Sequence, residues 1–313
     1  MPNPNLQQRA LLNGEVFVEL DKKVLLVKGE DRLSWLNDIF SQKMDNLKPN
    51  QSVEALWLDV QGHVLRDFHI FDDSEKTYLI TFAENFHQLL PALQRLVFRA
   101  KVTLEISDLK VIGSFEKPVS DLCWKDPWPA TTEGGWRYGK NPEADWNYFE
   151  SLVTNLPEAE SVPLEALTSL RVAAWRPWGP DEIDEKSLPH EYDWLATAVH
   201  LDKGCYRGQE TVAKIHNLGA PPRRLVFLHL DGSGHELAAA GDEIISDAVI
   251  GKITSVANHF EMGPIALGIV KRSTKENTVS IKLKSGEIVS ANLEEIVPKD
   301  AGGVVDLGDF RKR

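Results

Sequence analysis

Cys205 has the sequence context of a reactive thiol. It lies in the segment LDKGCYRGQET (residues 201–211), with Lys203 and Arg207 two residues away on either side. Neighbouring cations and a following helix N-terminus stabilise a thiolate, the nucleophilic and metal-ligating form of cysteine. The sequence therefore predicts a reactive Cys205. The alternative, a small buried apolar side chain, stays open because the flanking charges can point elsewhere.

The residues around Cys205 also predict a local backbone shape. Gly204 and Gly208 are typical of a tight turn that brings the main chain close to another part of the molecule. Val212 and Ile215 then fall at helical spacing. We expect a helix to begin at residue 209 or 210.

Other chemistries for this segment have less support. A cysteine protease nucleophile needs a histidine base, and His190, His200 and His216 are close in sequence, but no acyl-transfer signature accompanies them. CxxC or HxxxH spacing for zinc is missing, as are a Walker loop and a GxGxxG segment after a strand. We predict no resident metal site. Cys123, in DLCWK, is expected to be structural.

Composition restricts the class of protein. The 313 residues carry 35 basic and 47 acidic side chains, a net charge of −12, which disfavours general binding to nucleic acids or anionic membranes. With only two cysteines, a disulfide framework is not expected. No apolar run approaches the roughly 20 residues that span a bilayer, and the N-terminus lacks signal-peptide features. A cytoplasmic location is therefore expected.

Patterning predicts an α+β fold with two parts and a tail. Strand-like and helical runs follow one another without regular βαβ alternation up to about residue 220. Helices are expected at 31–40, 86–98, 144–155 and 163–174, and a hairpin around Gln61-Gly62. Pro91 is expected to kink or to start the second of these helices. Beyond Pro221-Pro222, short strand-like runs predict a small antiparallel barrel or sandwich. The expected division is 1–220, a barrel at 221–298, and a flexible tail at 299–313.

KGCYRGQE (203–210) resembles the K-G-C-Y-x-G-Q-E signature of the YgfZ-type folate-binding proteins, which are relatives of the glycine cleavage system T-protein, an aminomethyltransferase. Further similar segments are LRVAAWRPWGPDEIDEKSLPHEYDW (170–194), HNLGAPPRR (216–224), the DVQGHVLRDF hairpin and GKITSVA. The resemblance covers nearly the whole chain. It implies a folate-binding body with a ferredoxin-like part and a six-stranded C-terminal barrel around a central tetrahydrofolate channel.

The resemblance also implies roles for individual residues. Cys205 and Lys203 match functional positions of the signature. Arg171 matches an arginine that faces the pterin end of folate, for which a guanidinium is well suited, with a helix-surface arginine as the alternative. Trp175 and Trp178 are expected to stack on a flat ring, with core packing as the alternative. For Glu182 and Asp184 the alternative is a solvated acidic loop. The remaining residues that the resemblance implies for folate binding are Tyr206, Gln209 and Glu210.

One departure bears on activity. The T-protein hairpin carries two adjacent acids after its glycine, and an aspartate there supports aminomethyl transfer, whereas this chain has Arg66-Asp67. Asp67 alone keeps that catalytic position. Folate binding, which needs shape, stacking and a few polar groups, tolerates this change better than catalysis does.

The resemblance therefore implies a tetrahydrofolate-binding accessory protein for assembly or repair of iron–sulfur clusters, with tRNA-modifying enzymes among those served. Its partners would be folate and iron–sulfur enzymes or their assembly factors. The alternatives are a folate-dependent one-carbon enzyme, either an aminomethyltransferase or a demethylase, and a protein-interaction module with a vestigial folate site.

Overall fold

A computed structural model of the chain describes residues 3–142, 144–233 and 236–303. Within these residues the strands form three antiparallel sheets, of five, four and six strands. Helices pack beside the sheets and do not alternate with parallel strands, which confirms the α+β prediction. No helix in the described part of the chain is both long and apolar enough to cross a bilayer.

The five-stranded sheet carries the predicted hairpin. Its strands, in the order β3-β4-β5-β2-β6, are β2 (Lys22–Lys28), β3 (Ser52–Leu58), β4 (Val64–Asp72), β5 (Lys76–Phe82) and β6 (Thr103–Ser107). Apolar side chains on one face of this sheet form a buried cluster with helices α2 (Arg32–Ile39) and α3 (Phe86–Gln94). Both helices were predicted. Pro91 lies inside α3, where a kink or a helix start was expected.

The four-stranded sheet corrects one prediction. Its order is β1-β7-β9-β8, with β1 (Val18–Leu20), β7 (Lys110–Phe115), β8 (Cys123–Lys125) and β9 (Tyr148–Val153). The helix predicted over 144–155 is wrong, because β9 pairs with β7 on one side and β8 on the other. Nearly every residue of β9 is buried. A strand buried on both faces shows no alternation, so its apolar pattern resembles that of a buried helix.

Four further helices complete the body. They are α1 (Pro4–Leu12), α4 (Leu164–Ala173), the single turn α5 (Gly179–Glu182) and α6 (Gln209–Leu218). The helices predicted at 163–174 and after residue 208 are confirmed as α4 and α6, whereas α1 was not predicted. One buried apolar cluster contains residues of α4, of the four-stranded sheet and of the barrel, so these parts share a core.

The C-terminal strands close into the predicted barrel. Its order is β10-β13-β12-β11-β14-β15, with β10 (Arg223–Leu230), β11 (Glu243–Ile245), β12 (Val249–His259), β13 (Gly263–Lys271), β14 (Thr278–Lys282) and β15 (Ile288–Glu295). Closure removes exposed strand edges, and apolar side chains fill the interior. A domain division at residue 220 stays a prediction. Of the expected tail, residues 304–313 lie outside the described residues.

Candidate functional site

Cys205 is exposed on a segment whose neighbours are firmly held. Lys203 and Tyr206 on either side of it are buried, with 7% of each residue exposed. The segment ends where α6 begins at Gln209, four residues after the cysteine. The thiol is therefore presented to solvent, which excludes the alternative that Cys205 is a buried apolar side chain.

Lys203 holds the segment against the end of α2. Its ammonium donates to the main-chain carbonyl oxygens of Asn37, of Phe40 at 2.6 Å and of Gln42 at 3.1 Å. The same nitrogen lies 4.9 Å from the centre of the Tyr206 ring. Burial lowers the pKa of Lys203 to about 8. All three N–H donors are engaged in fixing the loop, so the described contacts give no support to the expectation that Lys203 stabilises the thiolate directly.

Gly208 allows the segment to touch the β3–β4 hairpin. Its φ is +85°, and an added β-carbon would lie 2.7 Å from the Asp59 carbonyl oxygen and 2.9 Å from the α-carbon of Gly62. Gly62 is also left-handed, with φ +83°, and a β-carbon there would lie 3.0 Å from the Thr211 β-carbon. Gly208 thus has the close-approach role predicted for it, whereas Gly204 faces open space.

The remaining signature residues differ in exposure. The Gln209 side-chain amide donates to the Lys203 carbonyl oxygen at 3.4 Å, which closes the loop on itself. Burial raises the pKa of the Tyr206 hydroxyl. Glu210 is exposed on the first turn of α6. None of these contacts decides whether the three residues bind folate, so that role stays a prediction.

A second feature is a pocket of about 500 Å³ at the start of β4. Asp67 lies in its wall, only 4% exposed, and its Oδ2 accepts the main-chain N–H of Gly179 at 3.2 Å. Gly179 opens α5, and a β-carbon on it would collide with the Asp67 carboxylate at 2.1 Å. The other residues that line the pocket, besides Asp67 and Gly179, are Val64, Leu65, Arg66, Phe82, Glu84, Asn85, Pro180, Ile183, Asp184 and Glu185.

The Arg66 side chain binds to the C-terminal end of β5. Its guanidinium donates to the carbonyl oxygens of Phe82 at 3.0 Å and Glu84 at 2.7 Å, and to the Thr81 hydroxyl at 3.4 Å. Burial lowers the pKa of Arg66. Where the T-protein pattern has a first acid, this chain therefore has a cation that braces the pocket wall.

Phe82 lines the pocket, and Trp178 packs against it. The two rings meet edge to face, with centroids 5.3 Å apart. Among the described residues, the indole N–H of Trp178 has no hydrogen-bond partner although it is buried. Trp175, the other tryptophan predicted to stack on a ligand, packs against Phe227 of the barrel at 6.0 Å. Neither tryptophan is among the pocket-lining residues.

Arg171 and Glu182 form a buried support next to Trp178. The Arg171 guanidinium is fully buried and donates to Glu182 at 3.1 Å, to Asp181 at 2.8 Å and to Ser255 of β12 at 2.8 Å. Glu182 also accepts the Trp178 main-chain N–H at 2.6 Å.

The positions of Glu182 and Arg171 decide between the alternatives that the sequence left open for them. The solvated-loop alternative is wrong for Glu182, whose pKa is raised because burial outweighs the favourable charge of Arg171. The surface alternative for Arg171 is also wrong, since its two terminal nitrogens are engaged inside the protein. Direct contact of either residue with folate stays a prediction.

One hairpin connects the two features. Gly62 at its turn touches the signature segment, and Asp67 lies five residues further along β4, a separation on the order of 16 Å for an extended strand. Sequence reasoning missed Phe82 and Gly179 as wall residues. The Gly-Pro pair at 179–180 was a turn signal that could have drawn attention to the start of α5.

Within the described residues, no group of three or more His, Cys, Asp or Glu side chains is placed to hold a metal ion.

Comparison with known proteins gives two kinds of similarity. No family model matches the chain. In sequence it is 25% identical over 271 residues to the mitochondrial iron–sulfur cluster assembly factor IBA57 homolog of Yarrowia lipolytica, covering 71% of this chain and 57% of that protein. It is 30% identical over 139 residues to a chloroplastic Arabidopsis thaliana protein named as a transferase, covering 42% of this chain and 29% of that protein. The chain thus spans less than two thirds of either relative.

The fold comparison is more extensive. The glycine cleavage system aminomethyltransferase T of Bartonella henselae superposes with a TM-score of 0.74, over 96% of this chain and 91% of that one, at 15% identity. At this identity the match shows the fold. The resemblance inferred from the sequence is therefore confirmed: the chain has an aminomethyltransferase-like fold and is similar in sequence to an iron–sulfur cluster assembly factor.

Proposed function

We propose that this protein binds tetrahydrofolate and serves as an accessory factor for assembly or repair of iron–sulfur clusters in enzymes, including tRNA-modifying ones. Similarity to an iron–sulfur cluster assembly factor supports the cluster-related role. The folate part rests on the pocket beside Asp67. The cytoplasmic location expected from the sequence stays a prediction, because the names of the two relatives place those proteins in mitochondria and chloroplasts.

The observation that carries the folate proposal is the Asp67 carboxylate, nearly buried in the wall of a pocket of about 500 Å³. Pockets of roughly 300–1,000 Å³ suit ligands of this size, and a few placed polar groups set their orientation. Tetrahydrofolate, when bound, supplies a flat aminopyrimidinone ring with several N–H donors. Asp67 would accept from those donors, and Phe82, which packs against Trp178, would border the ring.

Cys205 is proposed as the working group toward the partner. Its exposure allows another protein to reach the sulfur, while Lys203 and Gly208 fix the loop on both sides. The thiolate would act as a transient iron ligand, or would attack a partner disulfide and release the partner's other sulfur as a thiolate. Because the β3–β4 hairpin carries Asp67 and also touches the loop of Cys205, folate binding at Asp67 would influence the position of this loop.

Cells that lack the endogenous protein test this role. We expect the wild-type chain to restore the activity of iron–sulfur enzymes and Cys205→Ala to fail at equal protein level. Cys123→Ala, the matched control, should restore activity. Full complementation by Cys205→Ala would contradict the role of the cysteine.

The fold also supports a second candidate, a folate-dependent one-carbon enzyme. By the resemblance, Asp67 would occupy the position of the T-protein acid, but Arg66 stands where its neighbour would be and is bound to main-chain carbonyls. Turnover of an N-methyl or aminomethyl donor in the presence of tetrahydrofolate, abolished in Asp67→Asn, would favour this enzyme. Absence of both turnover and folate binding in folded protein would favour an interaction module.

A further inference from the structure

A buried ionic cluster lies next to the rings of Phe82 and Trp178. The Lys22 ammonium is 2.5 Å from Glu150 Oε1 and 3.2 Å from His69 Nδ1, and His69 Nδ1 is 2.8 Å from Glu150 Oε2. The exposed fraction of each of these side chains is 2% or less. Lys22 is on β2 and His69 on β4 of the five-stranded sheet, whereas Glu150 is on β9 of the four-stranded sheet.

The same ammonium contacts the ring of Phe82, which lines the pocket, and the ring of Trp178, which packs against Phe82. Lys22 Nζ lies 4.4 Å from the centre of the Phe82 ring and 4.9 Å from that of Trp178. Both distances are within the range of a cation–π interaction, which strengthens when the groups are desolvated. Phe82 is also the cross-strand partner of Lys22, so the backbone ladder fixes their separation. Lys22 therefore couples the ionic cluster to the two aromatic side chains.

Charges, hydrogen bonds and ring stacking hold the side chains of the cluster in place. Burial alone would raise the pKa of Glu150, but the charges and hydrogen bonds of His69 and Lys22 outweigh it and lower that pKa to about 2. The His69 ring stacks on Trp124 with centroids 3.7 Å apart, which sets the ring orientation. An ionised carboxylate and an oriented imidazole leave the ammonium little freedom to move.

Stability alone does not account for such a cluster. Desolvation of buried charges offsets most of their attraction, and apolar residues of similar volume often stabilise a protein as well or better. An ammonium held between a carboxylate and two aromatic faces does something an apolar side chain cannot, because its attraction to the ring faces is directional. The feature that it orients is the wall of the pocket.

We propose that Lys22 is a positioning residue for the pocket. It holds Phe82, which lines the pocket, and Trp178, which packs against Phe82, in the orientation that receives the flat ring of the ligand, while Glu150 and His69 hold Lys22. This inference rests on the proposed folate function. Lys22 itself is buried and is not among the residues that line the pocket.

The test replaces the charges in pairs, so that no buried ion is left unpaired. Lys22→Met with Glu150→Gln removes the ammonium and the carboxylate together. The matched control is Lys28→Met with Glu105→Gln, the same two changes at an exposed ion pair that also involves β2. Tetrahydrofolate affinity is measured anaerobically by calorimetry, and the melting temperature is measured alongside. Lys22→Arg, which keeps the cation, tests rescue.

The buried double variant should stay folded at the assay temperature and bind tetrahydrofolate about tenfold more weakly, since misplacing a binding surface costs affinity without unfolding the protein. The control should bind as wild type, and Lys22→Arg should retain more affinity than the double variant. If the double variant does not fold, Lys22→Gln with Glu150→Gln keeps hydrogen bonding without charge and should show the same loss.

Wild-type affinity in a folded double variant would overturn the positioning role and leave folate binding intact. Failure of the wild-type protein itself to bind would overturn the proposed folate function, and the positioning role with it.

Discussion

Gly208 of the signature segment and Gly62 of the β3–β4 hairpin touch through their main chains, each with a left-handed φ. A β-carbon on Gly208 would lie 2.9 Å from the α-carbon of Gly62, closer than real β-carbons approach other heavy atoms. The contact docks the loop of Cys205 onto the hairpin that carries Asp67. It explains in physical terms why residue 208, three residues after Cys205, is a glycine.

Gly208→Ala should separate the loop from the hairpin. The left-handed φ costs an alanine roughly 1–2 kcal/mol, and the backbone clash adds to it, so we expect a loss of at least about 2 kcal/mol in the free energy of unfolding. Gly204→Ala is the matched control, because Gly204 faces open space. Urea denaturation measures both variants, and equal, small effects would contradict the docking role of Gly208.

The two cysteines should differ in reactivity. Cys205 is exposed, whereas Cys123 is half-buried, and burial, aided by the charge of Asp121, raises the pKa of the Cys123 thiol. Iodoacetamide at pH 7.5 should therefore label Cys205 at least about ten times faster than Cys123. Peptide mass spectrometry assigns the sites, with Cys205→Ser as the control. Equal labelling rates for the two cysteines would contradict the prediction that exposure makes Cys205 the more reactive thiol.

Lys203→Met should destabilise the signature loop, because it leaves three carbonyl oxygens at the end of α2 without their donor. Loss of hydrogen bonds from a charged group predicts a cost of about 2–4 kcal/mol. Lys214→Met, at an exposed position of α6, provides the comparison. Equal melting temperatures for the two variants would show that Lys203 does not anchor the loop and would favour a chemical role for it.

Acid stability should depend on Glu150. Its folded-state pKa of about 2 lies below the value of 4.5 expected for an unperturbed glutamate. The pairing therefore contributes stability that is fully present above about pH 4.5 and is lost as the pH falls toward 2. A difference of this size corresponds to about 3 kcal/mol. Urea midpoints between pH 6 and 2.5 should fall more steeply for wild type than for Lys22→Gln with Glu150→Gln, and parallel curves would contradict the shift.

Most of the fold could be predicted from the sequence wherever the hydrophobic periodicity was unambiguous. Helices such as α4, with one apolar stripe, and the hairpin around Gly62, with turn residues between two strands, follow directly from spacing. Strand β9 was missed because burial on both faces removes alternation. Ring closure of the barrel could not be distinguished from a sandwich, since both produce short alternating strands.

The candidate site was less predictable because it depends on distant residues. The signature identified Cys205, but its spacing did not show that the ammonium of Lys203 binds carbonyls more than 160 residues away. Lys22, His69 and Glu150 come from three strands in two sheets, and no local pattern relates them. Burial of Glu182 was likewise invisible, since an acidic stretch usually predicts a solvated loop.

The central claim is that the pocket beside Asp67 holds tetrahydrofolate. The most direct measurement is an anaerobic calorimetric titration of tetrahydrofolate into wild-type protein, Asp67→Asn and the control Asp231→Asn, which alters an exposed aspartate of the barrel end. The account predicts saturable binding in the micromolar range for wild type and the control, and affinity at least about tenfold lower for Asp67→Asn. Absence of binding to folded wild-type protein, or equal affinity in all three, would contradict it.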